Sequence, residues 1–350
     1  MVPWYLYVGF IAFVLAMLVV DLKMFHAEEH DPTPRESGTW VAIWVTLALL
    51  FGGIVWIWKG AGPAGEYFAG YLIEYSLSVD NMFVFVLIFS YFKVPFSYQH
   101  QVLFYGILGA LIFRGIFIAL GVALIQNFDW VIYVFGIFLI ITAVRLAIAH
   151  EEVDPEHNSI LRFLQTHVRA VARYDHQKFF TIENGTRVAT PLLIVLLFIE
   201  LTDIVFAVDS IPAIFGITDD PFIVLTSNVF AILGLRALYF LLADVMGRFH
   251  LLKYGLAVIL GFVGVKMLLE QGIPVVGWEA HVPIWLSLLV IIAVLLVSGV
   301  LSLLIPPKGE AVHPPRAGDD DALPDTDHDG MLDQPSDDDR RTETPGEAAS

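Results

Sequence analysis

The chain has 350 residues and no cysteine. Disulfides, thiolate metal sites and thiol catalysis are therefore excluded. Histidine is missing where a soft metal centre would need it. All eleven histidines fall in polar connections, at the ends of apolar runs or in the C-terminal tail. Positive charge is thin, 19 Lys and Arg against 36 Asp and Glu, and nothing points to nucleic acid as a partner. The first apolar run has no basic segment before it and no A-x-A-like site. It reads as a retained span and not as a signal peptide. The G-x-G-D element of intramembrane aspartyl proteases is absent too: Asp80 follows Leu-Ser-Val and Asp209 follows Phe-Ala-Val. No enzyme is expected, and no prosthetic group.

What the chain has in abundance is apolar sequence. It is 57% hydrophobic, with a mean hydropathy of +0.73. Nine runs are each long enough to cross a hydrocarbon core about 30 Å thick. They lie near 3–22, 40–58, 68–92, 101–125, 130–149, 190–217, 222–246, 252–271 and 283–305. The expected fold is an all-α polytopic membrane protein with about nine transmembrane helices over 1–305. A cytoplasmic loop spans 150–189, and an acidic, disordered cytoplasmic tail spans 306–350. That tail holds 13 acidic and 4 basic residues, a net of −9 within the total of −17. Lys23, Arg35, Lys93, Arg162, Arg169, Arg173, Lys178, Arg187, Arg248 and Lys253 all lie in odd-numbered connections, whereas the even-numbered ones carry only Lys59. The positive-inside rule then places the N-terminus outside and the C-terminus in the cytoplasm.

Inside the apolar runs an acidic motif occurs twice. Residues 73–81 read I-E-Y-S-L-S-V-D-N and residues 202–210 read T-D-I-V-F-A-V-D-S. Glu74 thus matches Asp203, and Asp80 matches Asp209. Glu200 adds a fifth carboxylate, on the same helix face as Asp203. A carboxylate near the bilayer centre costs about 2.5–3.5 kcal/mol on insertion scales, so such residues mark ion or proton pathways. The correspondence continues: Arg114 matches Arg236, Tyr133 matches Tyr254, and Arg145 matches Lys266. Spans three to five (68–149) therefore repeat as spans six to eight (190–271). Three spans per unit make the second copy inverted, a construction that in secondary transporters places the site where the units meet.

Counting about 1.5 Å per residue from the expected span ends brings Asp80 level with Asp203, and Glu74 level with Asp209. Positions six apart lie about 240° round a regular helix, so convergence of one motif's two carboxylates needs a helix break. Pro212 is expected to supply one near residues 208–209. Two arginines cannot neutralise five carboxylates, so the set is expected to take protons or metal. Arg114 and Arg236 serve either as counter-charges in gating or as structural pairs. The ligands on offer are Glu74, Asp80, Asn81, Glu200, Asp203, Asp209 and Ser210, with Ser76 and Ser78 nearby. These hard oxygens suit magnesium, calcium or manganese. Met82 is either a soft ligand favouring manganese or ordinary packing.

At these residues the chain resembles the TerC family, in its Alx-type branch. The resemblance rests on G-Y-L-I-E-Y-S-L-S-V-D-N-M-F-V-F at 70–85, R-V-A-T-P at 187–191 and I-E-L-T-D-I-V-F-A-V-D-S-I-P-A-I-F at 199–215. The stretch D-P-F-I-V-L-T-S-N-V-F-A-I-L-G-L-R-A-L-Y-F-L-L at 220–242 and L-K-Y-G-L-A-V-I-L at 252–260 belong to it as well. It covers roughly 3–305 and leaves out the tail. It implies a multi-pass bacterial inner-membrane protein linked to manganese export and to tellurite-resistance loci. The family's intramembrane acidic residues fall on Glu74, Asp80, Glu200, Asp203 and Asp209. The expected activity is export of a divalent cation, manganese first, with the ion held by Asp80, Asp203 and Glu200 and passed to Glu74 and Asp209. Unpaired carboxylates in a low-dielectric site take up protons, which makes proton antiport feasible. The alternative is an accessory membrane protein that supplies metal to exported enzymes or serves a stress complex.

Three smaller features complete the reading. His26-Ala-Glu-Glu-His30-Asp31 is either a metal-collecting loop or a solvated polar one. Asn184-Gly185, between short alternating runs in 178–190, signals a β-hairpin. Asp325-x-Asp327-x-Asp329-Gly330 opens like a calcium loop, but Ser336 stands where a bidentate glutamate is expected. That segment is either a weak metal site or part of a disordered acidic tail.

Overall fold

The computed structural model describes residues 2–25, 33–148, 159–168, 170–171, 173–183, 185–242, 249–271 and 281–305. The His26–His30 loop, Asn184 and the tail with Asp325, Asp327 and Asp329 lie outside the described residues. Among the described residues eleven helices and one hairpin follow in order: α1 (Trp4–Phe25), α2 (Pro34–Lys59), α3 (Ala61–Tyr91), α4 (Phe96–Asn127), α5 (Val131–Ile148), α6 (Ser159–His167), β1 (Phe180–Glu183), β2 (Thr186–Ala189), α7 (Pro191–Phe215), α8 (Pro221–Leu233), α9 (Leu235–Leu242), α10 (Leu252–Glu270) and α11 (Ile284–Leu304). The all-α membrane class expected from the apolar runs is the observed one. Among the described residues seven helices are long and apolar enough to cross a membrane, or eight if α8 and α9 form one bent span. The apolar part of α1, Trp4–Val20, is shorter.

Local chemistry explains where the helices begin. Thr33 caps α2 in a reciprocal box: its backbone N–H donates to Glu36 Oε2 at 2.8 Å, and Glu36 N–H donates back to Thr33 Oγ1 at 3.3 Å. Pro34, Pro191 and Pro221 each stand at the start of a helix, where no backbone donor is needed. The Asp220 side chain accepts from the N–H groups of Phe222 and Ile223 at the head of α8.

Helices α3 and α7 form the centre, and they run antiparallel. Ala69, Ile73 and Leu77 of α3 share a core cluster with Ala207, Ile211 and Ile214 of α7. Met82, Val86 and Phe89, further along α3, share another with Leu192, Val195 and Phe198, earlier in α7. Around this pair α3 packs on α8, α4 packs on α7, and α5 packs on α10. Exchanging α3 with α7, α4 with α8–α9 and α5 with α10 maps these contacts onto themselves. The α5–α10 crossing is tight because glycine faces glycine. A Cβ on Gly264 would stand 2.8 Å from the Gly136 carbonyl oxygen. Side chains turned away from the bundle, such as Ile57 at 90% exposure and Leu304 at 73%, are apolar, as a lipid-facing surface requires.

The break expected at Pro212 is corrected. α7 runs unbroken from Pro191 to Phe215 with Pro212 inside it, and α3 is continuous through its motif. The missing donor of Pro212 falls in the last turn, where the helix is ending anyway. The break lies instead at Gly234, where α8 and α9 meet at a bend of 41°. Trp44 of α2 packs there, 3.2 Å from where a Gly234 Cβ would be. The equivalent helix α4 is uninterrupted over its 32 residues.

The hairpin is formed as expected, with Phe180 opposite Ala189 and Glu183 opposite Thr186. Gly185 takes φ +76° in its turn. Asp175 ties the hairpin to its connection: Thr181 Oγ1 donates to Asp175 Oδ2 at 2.8 Å, and Lys178 Nζ stands 3.4 Å away. Tyr174 Oη donates to the Phe92 carbonyl at 2.8 Å, which anchors the segment to the end of α3. The hydrogen bond from Thr181, and then the nearby Lys178 charge, hold the Asp175 carboxyl below its ordinary range. A lowered carboxylate contributes stability above its unfolded value, about 3.9, and loses it as pH falls through the lower folded value. Hydrogen exchange at residues 180–189 should therefore stay slow down to about pH 4 and accelerate below it. Asp175→Asn should flatten that acid dependence.

Candidate functional site

One face of each central helix carries the polar groups. Along α7 the buried positions include Ile199, Asp203, Ala207, Ser210 and Ile214, spaced by three or four. Along α3 they include Tyr67, Gly70, Glu74, Ser78, Asn81 and Phe85. Glu74 and Asp203 each lie near the middle of their helix, and both turn inward. Between them stands Arg114 of α4. Its Nη1 forms an ion pair with Glu74 Oε1. Its Nη2 and Nε donate to the two oxygens of Asp203 at 3.1 and 3.4 Å. Nη1 also donates to Asn228 Oδ1 at 3.2 Å and to Ser210 Oγ at 3.4 Å. Asn228 closes the ring, its Nδ2 donating to Glu74 Oε2 at 3.2 Å. Glu74 and Asn228 are fully buried, and Arg114 is 2% exposed. Formally the group carries two negative charges and one positive.

Small residues permit this closure. A Cβ on Gly70 would lie 2.9 Å from Ser227 Oγ, so α8 approaches α3 closely and brings Asn228 onto Glu74. A Cβ on Gly109 would overlap the carboxylate of Glu200, which lies directly against α4 one turn before Asp203. Glu200 Oε2 is buried and accepts no hydrogen bond. Beside Asp203 is a cavity of about 20 Å³, lined by Met82, Phe85, Ile107, Ile199, Arg236 and Tyr239 among others. That is room for roughly one water or one bare ion.

The remaining residues singled out from sequence lie apart from this group. Asp209 turns to α5, where Thr142 Oγ1 donates to it at 3.2 Å. Its neighbours Val205 and Val208 face outward. Asp80 is partly exposed and Asn81 is buried, both further along α3 than Glu74. Arg236 is buried at the cavity and does not replace Arg114 at the centre. The depth pairing is corrected: Glu74 is level with Asp203, the two matching positions of the repeated motif. The ends that served as references are where the structure has them, Tyr91 and Pro191, but they are not level: α3 runs 17 residues past Glu74, whereas α7 has 12 residues before Asp203. Because α3 and α7 are antiparallel, Asp80 and Asp209 lie on opposite sides of the central pair, each about 9 Å along its helix. The two carboxylates of one motif diverge, as an unbroken helix demands. Among the described residues no three carboxylate or imidazole side chains converge as a ready-made metal cage, so Asp80, Asp203 and Glu200 are not gathered in this conformation.

Asn228 is the central residue that the sequence reading passed over. It stood in plain view at the end of L-T-S-N. An amide inside an apolar helix is the same signal as a buried carboxylate, and the matching position in the first unit, Gly106, offers no partner to compare.

The energetics of the centre are testable. Removing one member of a buried ion pair costs about 3–5 kcal/mol, because the partner charge stays behind unpaired. Arg114→Ala should lower unfolding stability in micelles by that order. Adding Glu74→Gln and Asp203→Asn to it should recover much of the loss, since no buried charge then remains uncompensated.

Comparison with known proteins agrees with this architecture. Residues 59–310 match the integral membrane protein TerC family. A Myxococcus xanthus protein described as the uncharacterized membrane protein STKORF319 is 53% identical over 264 residues, 75% of this chain and 82% of its own. The Alx protein of Escherichia coli (strain K12), whose name proposes a role as a membrane-bound redox modulator, is 47% identical over 304 residues, covering 84% of this chain and 92% of its own. The chloroplastic thylakoid membrane protein TERC of Arabidopsis thaliana is 48% identical over 250 residues, 71% of this chain and 64% of its own. No solved structure matches the chain. With the matched region containing the acidic motifs, Arg114 and Asn228, the chain belongs to the TerC family of integral membrane proteins.

Proposed function

We propose that the chain is a secondary transporter that exports divalent cations, manganese foremost, through its intramembrane carboxylates in exchange for protons. The observation that carries this reading is the central group: two buried carboxylates, one from each half, meet with the Arg114 guanidinium between them, formally two negative charges to one positive. On the positive-inside reading the protein lies in the bacterial inner membrane with its N-terminus outside and C-terminus in the cytoplasm. The C-terminal half of α3 and the N-terminal half of α7 then face the cytoplasm. In this frame Asp80, Glu200 and the small cavity lie on the cytoplasmic side of the centre, and Asp209 lies on the far side. An ion would pass Asp80 and Glu200, reach Glu74 and Asp203, and leave by Asp209. Rocking of the two halves about their antiparallel central helices would expose the centre to each side in turn.

The redox role in the name of the Escherichia coli relative cannot run through thiols in this chain, which has none. A redox effect would follow from the metal moved. The accessory reading, in which the protein supplies metal without flux of its own, remains the outcome if transport fails.

Purified protein in liposomes should carry manganese against an opposing proton gradient. Asp203→Asn and Asp209→Asn, checked for folding, should each lower the flux about tenfold or more. Absence of flux in the wild type under either gradient direction would reject the exporter and favour the accessory role.

A further inference from the structure

We propose that Arg114 is a tethered competitor cation that sets the valence threshold of the central site, admitting divalent ions and excluding monovalent ones. This rests on the reading of Glu74 and Asp203 as the seat of the transported ion. In the structure the guanidinium occupies that seat. It contacts both oxygens of Asp203 and one of Glu74, and it holds Ser210 and Asn228 as well. Any incoming cation must first displace it.

The charge balance decides which cations succeed. Glu74, Asp203 and the guanidinium sum to −1. Exchanging the guanidinium for a sodium or potassium ion leaves the sum at −1 and forfeits a planar, multidentate set of hydrogen bonds. Nothing offsets that loss. Exchanging it for a divalent ion brings the sum to zero in a site where uncompensated charge is expensive. The guanidinium thus makes the site insensitive to the monovalent ions that outnumber any trace metal in a cell. Asn228 is the positioning residue of this device, since it bonds Glu74 with one end of its amide and Arg114 with the other.

The test uses the full chain in detergent micelles, with manganese binding read from the paramagnetic resonance of the free ion. Sodium or potassium chloride is exchanged against choline chloride at constant ionic strength. For the wild type, manganese affinity should be the same in all three salts. Arg114→Gln should bind manganese about tenfold tighter or more in choline, and sodium or potassium should now compete. Arg114→Lys keeps the charge with fewer bonds, and should bind manganese more tightly while monovalent ions stay excluded. An Arg114→Gln protein that binds manganese no tighter, or that monovalent ions do not compete for, overturns the proposal while leaving the exporter reading intact. Manganese binding by none of these proteins overturns both. Should Arg114→Gln fail to fold even in manganese, Asn228→Ala decides, because it frees the guanidinium with all charges kept. Tighter manganese binding without monovalent competition supports the proposal, and unchanged or weaker binding rejects it.

Discussion

The structure depends on one buried arrangement, the Arg114 guanidinium held between Glu74 and Asp203. Each carboxylate alone would be costly inside an apolar bundle. Together with the arginine they become tolerable only if α3, α4 and α7 meet at one point. Glycines at the approaches make that meeting possible, Gly70 against α8 and Gly109 against α7. The packing of the centre is thus subordinate to its charge. A leucine core would be as stable and would not need Asn228 to complete its hydrogen bonds.

The two halves are alike in plan and unlike in detail. Each contributes a central acidic helix, a second helix with an inward arginine, and a third helix that crosses its counterpart. Yet Arg114 sits at the centre while Arg236 sits at the cavity. The difference follows from the bend at Gly234, which turns α9, and Arg236 with it, off the line of α8. α4 is one uninterrupted helix and delivers its arginine to the pair. The small cavity beside Asp203 accordingly lies on the side of the centre that Arg236 occupies.

Much of this was legible in the residues. The apolar runs located the helices because a bilayer admits few alternatives to them. The repeated carboxylates and Arg114 marked the centre because charge is so rare in apolar runs that each instance has a reason. Asn184-Gly185 announced the hairpin through turn chemistry alone. Other features were hidden. The pairing of Glu74 with Asp203 depended on the axial offset between α3 and α7, whose ends at Tyr91 and Pro191 were located correctly but are not level. Pro212 was misread as a break because a proline's effect depends on its distance from the helix end, which the sequence does not print.

The sequence by itself determined that this is a helical membrane protein of the TerC family with five carboxylates in the two apolar runs that carry the repeated motif, since both periodicity and family motifs are local and survive without coordinates. Only the tertiary structure decided which carboxylates meet, that one arginine of two holds them, and that an asparagine from α8 closes the ring. These are relations between helices far apart in the chain. They follow from crossing geometry and close backbone approach, quantities that no single stretch of residues encodes.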